Sequence, residues 1–193
     1  MARNSKQGTE ATRLALISAA RELFVEKGYA DTATPDIVAA AGVTRGALYH
    51  HFEDKRALFR AVIEREAMAV ASDIDRGAAP AATPREALIS GASAYFAAMA
   101  VEGRARLMLL EAPAVLGVER TAEIDRDNGE DRLREGVSDY LGAAVSADEV
   151  RALTNLLSSA FDRAVLEIER GGDRSLYEAA IERLIDGLIP RSR

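Results

Sequence analysis

Apolar side chains recur at three- and four-residue spacing along nearly the whole chain of 193 residues. No stretch alternates apolar and polar residues over the length of a strand with β-branched residues in the apolar positions. The first predicted helix, Thr12 to Lys27, carries its apolar residues on one side, namely Leu16, Ala20, Leu23 and Phe24. With 48% hydrophobic residues the chain can bury a substantial core. The sequence therefore predicts an all-α protein of about nine helices.

Cysteine is absent, which excludes disulfides, a thiol nucleophile and thiolate metal ligands. The N-terminal stretch is polar, and no apolar run approaches the roughly 20 residues that cross a bilayer. We therefore expect a cytoplasmic protein that has no membrane partner.

The net charge of −6 is unevenly distributed. Residues 1–60 contain nine lysines and arginines against seven acidic residues, whereas the remainder contains 16 against 24. The first 60 residues thus carry +2 and the rest −8. This asymmetry favours a mildly basic head that tolerates a polyanion, joined to an acidic body.

Two short helices are predicted in succession within residues 33–52. Thr34-Pro35-Asp36 is typical of a helix start, with Thr34 as the expected cap, and this helix is expected to end at Gly42. Thr44 is the expected cap of a second helix that runs to about Phe52. Two short helices joined by a glycine-containing turn form a helix-turn-helix motif.

The second of these helices has one polar side. On a helical wheel Arg45, Gly46, Tyr49 and His50 fall within an arc of about 140°, and Leu48 falls roughly opposite. Gly46 lowers helix stability by about 1 kcal/mol relative to alanine, yet it lets the first turn approach another surface closely. A recognition helix that enters the DNA major groove requires such an approach.

The polar groups suit DNA, although other roles are open for each. Arg45 can bind guanine O6 and N7 or clamp a phosphate, and Thr44, Tyr49 and Lys55 offer donors to phosphates. Tyr49 could alternatively be a half-buried core aromatic, and the two histidines could be solvated or capping residues. A metal site is not expected, because adjacent histidines diverge by 100° on a helix and no third histidine exists.

The run TPDIVAAAGVTRGALYHHFEDKRALF, residues 34–59, preceded by AARELFVEKGY, resembles the DNA-binding domain of TetR/AcrR-type transcriptional regulators. The resemblance implies a three-helix head at residues 10–70 and a helical ligand-binding and dimerisation body at residues 71–193. Leu48 and Phe52 remain core residues in this assignment. Position by position, the resemblance assigns DNA contacts to Thr34, Thr44, Arg45, Gly46, Tyr49, His50, His51 and Lys55. The wheel agrees except at His51, which points away from the polar arc.

The body offers candidates for a ligand site among bulky apolar groups on adjacent predicted helices. Glu111 lies in an apolar context before Pro113, which is expected to break the helix, and could pair with a cationic ligand group. It could equally pair with Arg104, Arg106 or solvent, and the other candidates could be simple core residues. The predicted ligand-binding residues are Tyr95, Phe96, Met99, Met108, Glu111, Phe161 and Asp162.

The last two predicted helices, Asp148 to Arg170 and Ser175 to Leu188, carry apolar stripes and are joined by Gly171-Gly172. Packed against the same pair of a second subunit they would form a four-helix, two-fold interface, which the resemblance also implies. We therefore expect a homodimer through about Asp148 to Leu188 that binds a palindromic operator in double-stranded DNA.

The sequence thus predicts a dimeric repressor that a small-molecule inducer releases from DNA. Two alternatives stay open: a DNA-binding activator without an inducer, and a helical enzyme or carrier with a vestigial head. No catalytic constellation favours an enzyme, because both histidines lie in the head and the glycines form no phosphate-binding loop. We expect neither catalytic residues nor a cofactor.

Overall fold

The computed structural model describes residues 2–143 and 145–188, with side chains assigned except at residues 2–7, 127 and 130. The described chain is helical and contains no strand, which confirms the predicted all-α class. It divides into two compact units. The first comprises the residues up to Glu66 together with Arg106–Thr121, and the second comprises Ala67–Ala105 and the residues from Ala122 onward.

Four helices open the chain: α1 (Ala2–Asp31), α2 (Thr34–Ala40), α3 (Arg45–His51) and α4 (Lys55–Gly77). The first begins about ten residues before the predicted Thr12. It is interrupted at Gly28, whose φ of 81° and ψ of 164° are not helical. The predicted helix, Thr12 to Lys27, ends directly before this break.

The middle of the chain holds α5 (Pro84–Met99), a π-helical segment (Arg106–Glu111), α6 (Ala112–Leu116) and α7 (Val118–Asp125). Pro113 lies in the first turn of α6 rather than ending the helical path. Because proline has no N–H to donate to the carbonyl four residues earlier, the regular α-helical ladder cannot continue through it. The wider π-helical turns immediately before it accommodate that missing bond.

The remaining elements are a second π-helical segment (Arg126–Glu130), α8 (Asp131–Leu141), α9 (Ala147–Glu169) and α10 (Arg174–Asp186). The π-helical turns separate α7 from α8, so residues 118–141 do not form one regular α-helix. The last two helices match their predicted bounds within one or two residues. Ser146 caps α9 by accepting from the Glu149 N–H, and Asp173 caps α10 by accepting from the Ser175 N–H.

The first unit has a core that extends from α1 to α4. Three aromatic rings, those of Phe24, Tyr29 and Phe59, meet with centroids 4.9 to 5.7 Å apart. Fully buried side chains around them include Leu16, Ile37, Leu48, Leu58 and Ile63. The short helices α2 and α3 are thus held by tertiary packing, which helices of seven residues require.

The two compact units do not follow the predicted boundary between head and body at residue 70, which stays a prediction. Residues 106–121 belong to the first unit, although the sequence assigned them to the body. Residues 106–121 form hydrogen bonds with α1 and α4, and a local sequence pattern does not predict bonds between such distant positions. In the second unit α5 packs against α8, α9 and α10, and α9 packs against both α8 and α10.

None of the described helices is both long enough and apolar enough to cross a membrane.

The conformation of Gly28 yields a stability prediction. A Cβ atom at this position would lie 3.5 Å from Glu111 Oε1, an ordinary contact, so the cost of Gly28→Ala is the strained backbone. We expect a loss of about 1–3 kcal/mol in the free energy of unfolding, measured by urea denaturation. The matched control is Gly91→Ala in α5, where the backbone is helical and the added methyl meets open space. That substitution should raise the free energy of unfolding by about 0.5–1 kcal/mol. If both substitutions changed the free energy of unfolding in the same direction, the strained backbone assigned to Gly28 would be contradicted.

Candidate nucleic-acid interface

The helix-turn-helix is built from α2, a turn at Gly42 and α3. Gly42 has a φ of 64°, a value that glycine adopts at little cost, and the Val43 N–H donates to the Val38 carbonyl at 3.2 Å. Thr44 caps α3 by accepting from the Ala47 N–H at 3.2 Å, as predicted. Leu48 and Phe52 are buried, also as predicted, so α3 is anchored by its apolar side.

The opposite side of α3 faces solvent. Arg45, Gly46, Tyr49 and His50 are all exposed, and the Tyr49 side chain retains 46% of its accessible surface. The alternative in which Tyr49 is a core aromatic is thereby excluded. The Arg45 guanidinium carbon lies 5.5 Å from the centroid of the Tyr49 ring, a cation–π distance that orients the arginine along the exposed face.

Arg45 differs from the other basic residues of the first unit. Each other lysine or arginine there whose side chain is described donates a hydrogen bond or forms an ion pair. Within that described part, Arg45 has neither. Its positive charge is therefore uncompensated and its five donors are free for an anion or a base edge.

Within the part of the chain that the structure describes, no contact requires a glycine at position 46. Its backbone is helical, and an added Cβ atom would have only Thr44 Oγ1 within 4 Å, at 3.9 Å. A glycine at this position lowers helix stability without relieving any internal clash. The open space beside Arg45 therefore lies where an external partner can approach the backbone.

Two of the predicted DNA contacts, Thr34 and His51, are not among the exposed residues of α3. Thr34 is the first residue of α2 rather than its cap, because Ala33 holds the cap position without a side-chain bond. The capping role expected of Thr34 is wrong. His51 is half-buried, with its ring 6.3 Å from that of Phe52. The DNA-contact roles of Thr34 and His51 stay predictions.

Lys55 is engaged inside the head. Its ammonium donates to the carbonyls of Tyr29 at 2.8 Å and Thr32 at 2.9 Å and lies 4.3 Å from the Tyr29 ring centroid. These bonds tie the start of α4 to the chain that leaves α1. A phosphate contact by Lys55 stays a prediction, but its ammonium already donates to carbonyls within the head.

The segment of residues 106–121 is bonded to the same region. Glu111 accepts from the Tyr29 N–H at 2.9 Å and pairs with Arg106 at 3.2 Å. Arg106 also donates to the carbonyls of Phe24 at 2.8 Å and Val25 at 2.6 Å. The geometry thus favours the alternative in which Glu111 pairs with Arg106 over its predicted pairing with a ligand cation.

Arg56 completes this connection by donating to the carbonyls of Val115 at 3.0 Å and Leu116 at 2.9 Å, at the C-terminal end of α6. Such carbonyls lack partners within their own helix, and a guanidinium there satisfies them. No role was predicted for Arg56, because a bond across 60 residues leaves no spacing signal.

The predicted ligand-binding residues are divided between the two units. Met108 and Glu111 belong to the first unit, whereas the other five belong to the second. There the Tyr95 hydroxyl donates to the Asp162 carboxylate at 2.6 Å. The Phe161 ring lies 6.0 Å from that of Phe96 and 6.1 Å from that of Tyr95. Met99 is buried nearby on α5 but enters none of these ring contacts.

The second unit also contains an open groove of about 750 Å³ that the sequence did not indicate. It is lined by the end of α4 and by one face each of α5 and α10. Its arginines are already paired: Arg85 donates to Glu182 and Asp186, and Arg174 donates to Glu178. The groove therefore presents no uncompensated charge through these two arginines.

Helix α3 is capped, is anchored by apolar side chains on one side, and presents a free guanidinium beside Gly46 on the other side. This is the geometry of a helix-turn-helix DNA-binding protein. Comparison with known proteins agrees. A family model described as bacterial regulatory proteins of the tetR family matches residues 16–62, and one described as the tetracyclin repressor-like C-terminal domain matches residues 85–190. The chain belongs to the TetR family of bacterial regulatory proteins.

Individual relatives support the same assignment. The HTH-type transcriptional regulator AcrR of Shigella flexneri is 45% identical over 64 residues, which cover 33% of this chain and 30% of that protein. The HTH-type transcriptional repressor BepR of Brucella suis is 43% identical over 63 residues, with the same coverage. The matched region thus spans about a third of the length of these curated relatives.

Solved structures extend the likeness to at least 90% of the chain. A TetR-family transcriptional regulator from Pectobacterium atrosepticum is 28% identical, with a TM-score of 0.69 over 95% of this chain and 94% of that one. The fatty acid degradation regulator FadR of Bacillus halodurans is 18% identical, with a TM-score of 0.73 over 90% of this chain and 93% of that one. The second comparison concerns the fold alone.

The bonds of Lys55 predict a structural role that can be measured without DNA. Lys55→Met should lower the free energy of unfolding by about 1–3 kcal/mol, because two carbonyls lose a charged donor. Lys27→Met is the matched control, since Lys27 forms only an exposed pair with Asp36 at 3.4 Å. That change should cost less than about 1 kcal/mol. Identical denaturation midpoints for the two variants would show that the Lys55 bonds contribute nothing.

Proposed function

We propose that the protein is a dimeric repressor that binds a palindromic operator and is released by a small-molecule inducer. The observation that carries the DNA-binding assignment is the uncompensated guanidinium of Arg45 beside the open backbone of Gly46 on the exposed side of α3. A major groove presents guanine acceptors that a free guanidinium can bind bidentately. Such a regulator would act in the cytoplasm, the compartment that holds bacterial DNA.

The remaining polar groups of the head would position the protein on the duplex. Thr44 and Tyr49 place hydroxyls on the same exposed side as Arg45, within reach of phosphates on either side of a groove. His50 adds a donor one position further along α3. Thr34 and His51 would contribute through the backbone of the duplex rather than its base edges.

A homodimer is supported by the apolar surface of the last two helices. Leu156 on α9 and Leu176 and Leu184 on α10 retain 69%, 66% and 52% of their accessible surface. Burying one leucine side chain contributes about 1.5–3 kcal/mol to the stability of an interface. A two-fold interface through these leucines would bury three from each subunit. We therefore propose an isologous interface formed by Asp148 to Leu188 of both subunits.

The proposed release mechanism uses the two chain segments that pass from one unit to the other. Helix α4 starts in the first unit and ends in the second, and residues 106–121 continue into the second unit at both of their ends. An inducer bound in the second unit would displace these segments and, through Arg56, Arg106 and Glu111, the end of α1 and the start of α4. By linkage, DNA and inducer must weaken each other's binding equally.

The alternatives make different predictions for the same assays. An activator without an inducer would bind DNA with an affinity that no small molecule changes. An enzyme or carrier with a vestigial head would bind no duplex specifically. Selection of bound sequences from random duplex DNA tests both the operator and its symmetry, since a two-fold dimer selects half-sites that are inverted repeats.

Gly46→Ala provides the sharpest test of the interface, because it should change stability and DNA binding in opposite directions. The methyl group should raise the free energy of unfolding by about 0.5–1 kcal/mol. It should also weaken binding to the selected duplex at fixed salt, measured by fluorescence anisotropy. Gly91→Ala, which stabilises a helix of the second unit, is the control and should leave DNA affinity unchanged.

Arg45→Ala serves as the positive control in the same assay, with an expected loss of about 1–3 kcal/mol for each half-site. If Gly46→Ala and Arg45→Ala both bound the duplex like the unmodified protein, α3 would not be the recognition helix.

The dimer prediction is tested by Leu156→Glu combined with Leu184→Glu. Charges placed in the proposed interface should convert the protein to a monomer at concentrations where the unmodified protein is a dimer, as measured by sedimentation velocity. Affinity for a palindromic duplex should fall with the loss of the second head. Val118→Glu, at an apolar side chain 68% exposed in α7, is the control. An unchanged sedimentation coefficient for the double variant would place the interface elsewhere.

A further inference from the structure

One carboxylate of the second unit lies among aromatic rings without a counter-charge. Asp162 on α9 is half-buried and accepts a hydrogen bond from the Tyr95 hydroxyl at 2.6 Å. The Tyr95 ring lies 6.2 Å from the Phe96 ring and 6.1 Å from the Phe161 ring, and both phenylalanines are buried. The half-buried carboxylate and phenol thus lie beside two buried aromatic rings.

No basic side chain of the described chain pairs with Asp162. The neighbouring Arg163 pairs with Glu167 instead. Burial raises the pKa of the Asp162 carboxyl, an effect that the hydrogen bond from Tyr95 opposes. Burial and the nearby charge of Asp162 also raise the pKa of the Tyr95 hydroxyl well above its usual value, and Asp125 adds to that shift. The phenol therefore remains a donor at neutral pH.

We propose that the site formed by Tyr95, Phe161 and Asp162 binds an organic cation, a quaternary or protonated amine attached to an apolar body. This inference rests on the proposed function of a ligand-responsive regulator and names the chemical class of its ligand. The cationic nitrogen would pair with the free oxygen of the carboxylate, while the Tyr95 hydroxyl keeps the other oxygen. The ring faces attract a cation, and the phenylalanine rings contact its apolar part.

The chemistry of the site favours an organic cation over a metal ion. One carboxylate and one phenol are too few donors for a metal, and the described residues contain no group of three or more His, Cys, Asp or Glu placed to hold one. Aromatic walls cannot replace the water of a small, strongly hydrated ion. An alkylated ammonium is weakly hydrated and loses little on entering such a site.

Comparison with Glu111 identifies Asp162 as the more suitable partner for a ligand cation. The Glu111 carboxylate already contacts the Arg106 guanidinium and the Tyr29 N–H. A ligand cation would have to displace an arginine there. At Asp162 it would instead supply the positive charge that the site lacks.

The uncompensated carboxylate also has a consequence for stability. The pKa of Asp162 in the folded state lies above that in the unfolded state, so the folded state holds the proton more tightly. The free energy of unfolding therefore falls as the pH rises from the unfolded value through the folded one. Asp162→Asn removes this penalty and keeps an acceptor for the Tyr95 hydroxyl, so it should raise Tm at neutral pH.

The probe for the experiment is benzyltrimethylammonium, and its comparison compound is the neutral neopentylbenzene, in which carbon replaces nitrogen. Titration calorimetry and thermal shift on the full chain should show binding of the cation at least tenfold tighter than binding of the neutral compound. Asp162→Asn should raise Tm without ligand and weaken cation binding at least tenfold. Tyr95→Phe should weaken it less, since the ring remains. Glu135→Gln, at an exposed acid in the middle of α8, is the control and should change neither.

Equal affinity for the two compounds on the unmodified protein would overturn the proposal without any variant. Unchanged cation binding by Asp162→Asn, or a lower Tm of that variant with cation binding retained, would overturn it as well. DNA binding by the ligand-free protein is measured separately. DNA binding without a cation response contradicts this inference alone, whereas cation binding without any DNA affinity supports the site and contradicts the proposed function.

Discussion

The burial of Leu48 and Phe52 is the interaction on which the DNA-binding head depends. Helix α3 has only seven residues and could not persist in water by itself. Its two apolar anchors fix its rotation as well as its position, and that rotation decides which side chains remain outside. The exposed guanidinium, the bare backbone at Gly46 and the phenol of Tyr49 are therefore consequences of how the opposite side packs. Because Thr44 caps α3, the helix begins at Arg45, and the exposed side of the helix begins at that residue.

Local signals in the sequence predicted this head well. The Thr44 cap, the apolar positions of α3 and the end of the first predicted helix at Lys27 each depend on a few neighbouring residues, and each is confirmed. Bonds between distant positions had no such signal. Lys55 was predicted from its charge and order to face DNA, yet carbonyls 23 to 26 residues earlier hold its ammonium. The membership of residues 106–121 in the first unit likewise depends on bonds between side chains and backbone carbonyls, which periodicity does not reveal.

Glu111 and Asp162 show why residue type alone could not identify the candidate ligand site. Both are acids in apolar stretches of sequence, and both were predicted to face a ligand. One is compensated by an arginine and a backbone donor, whereas the other has a neutral phenol as its only described partner. The difference lies in which neighbours the fold supplies. An acid that the fold leaves uncompensated is the better candidate for function, because its cost in stability requires a reason.

The π-helical segment Arg106–Glu111 has a consequence for how the length of this chain can vary. Hydrogen bonds in such a segment span one more residue than those of an α-helix, so it can be viewed as an α-helix that carries a single-residue insertion. Deleting one residue there would restore regular α-helical turns while rotating everything beyond it by about 100°. Glu111 would then face away from the backbone of Tyr29. Among relatives, gain or loss of one residue at this point would create or abolish the polar connection to α1 in a single genetic step.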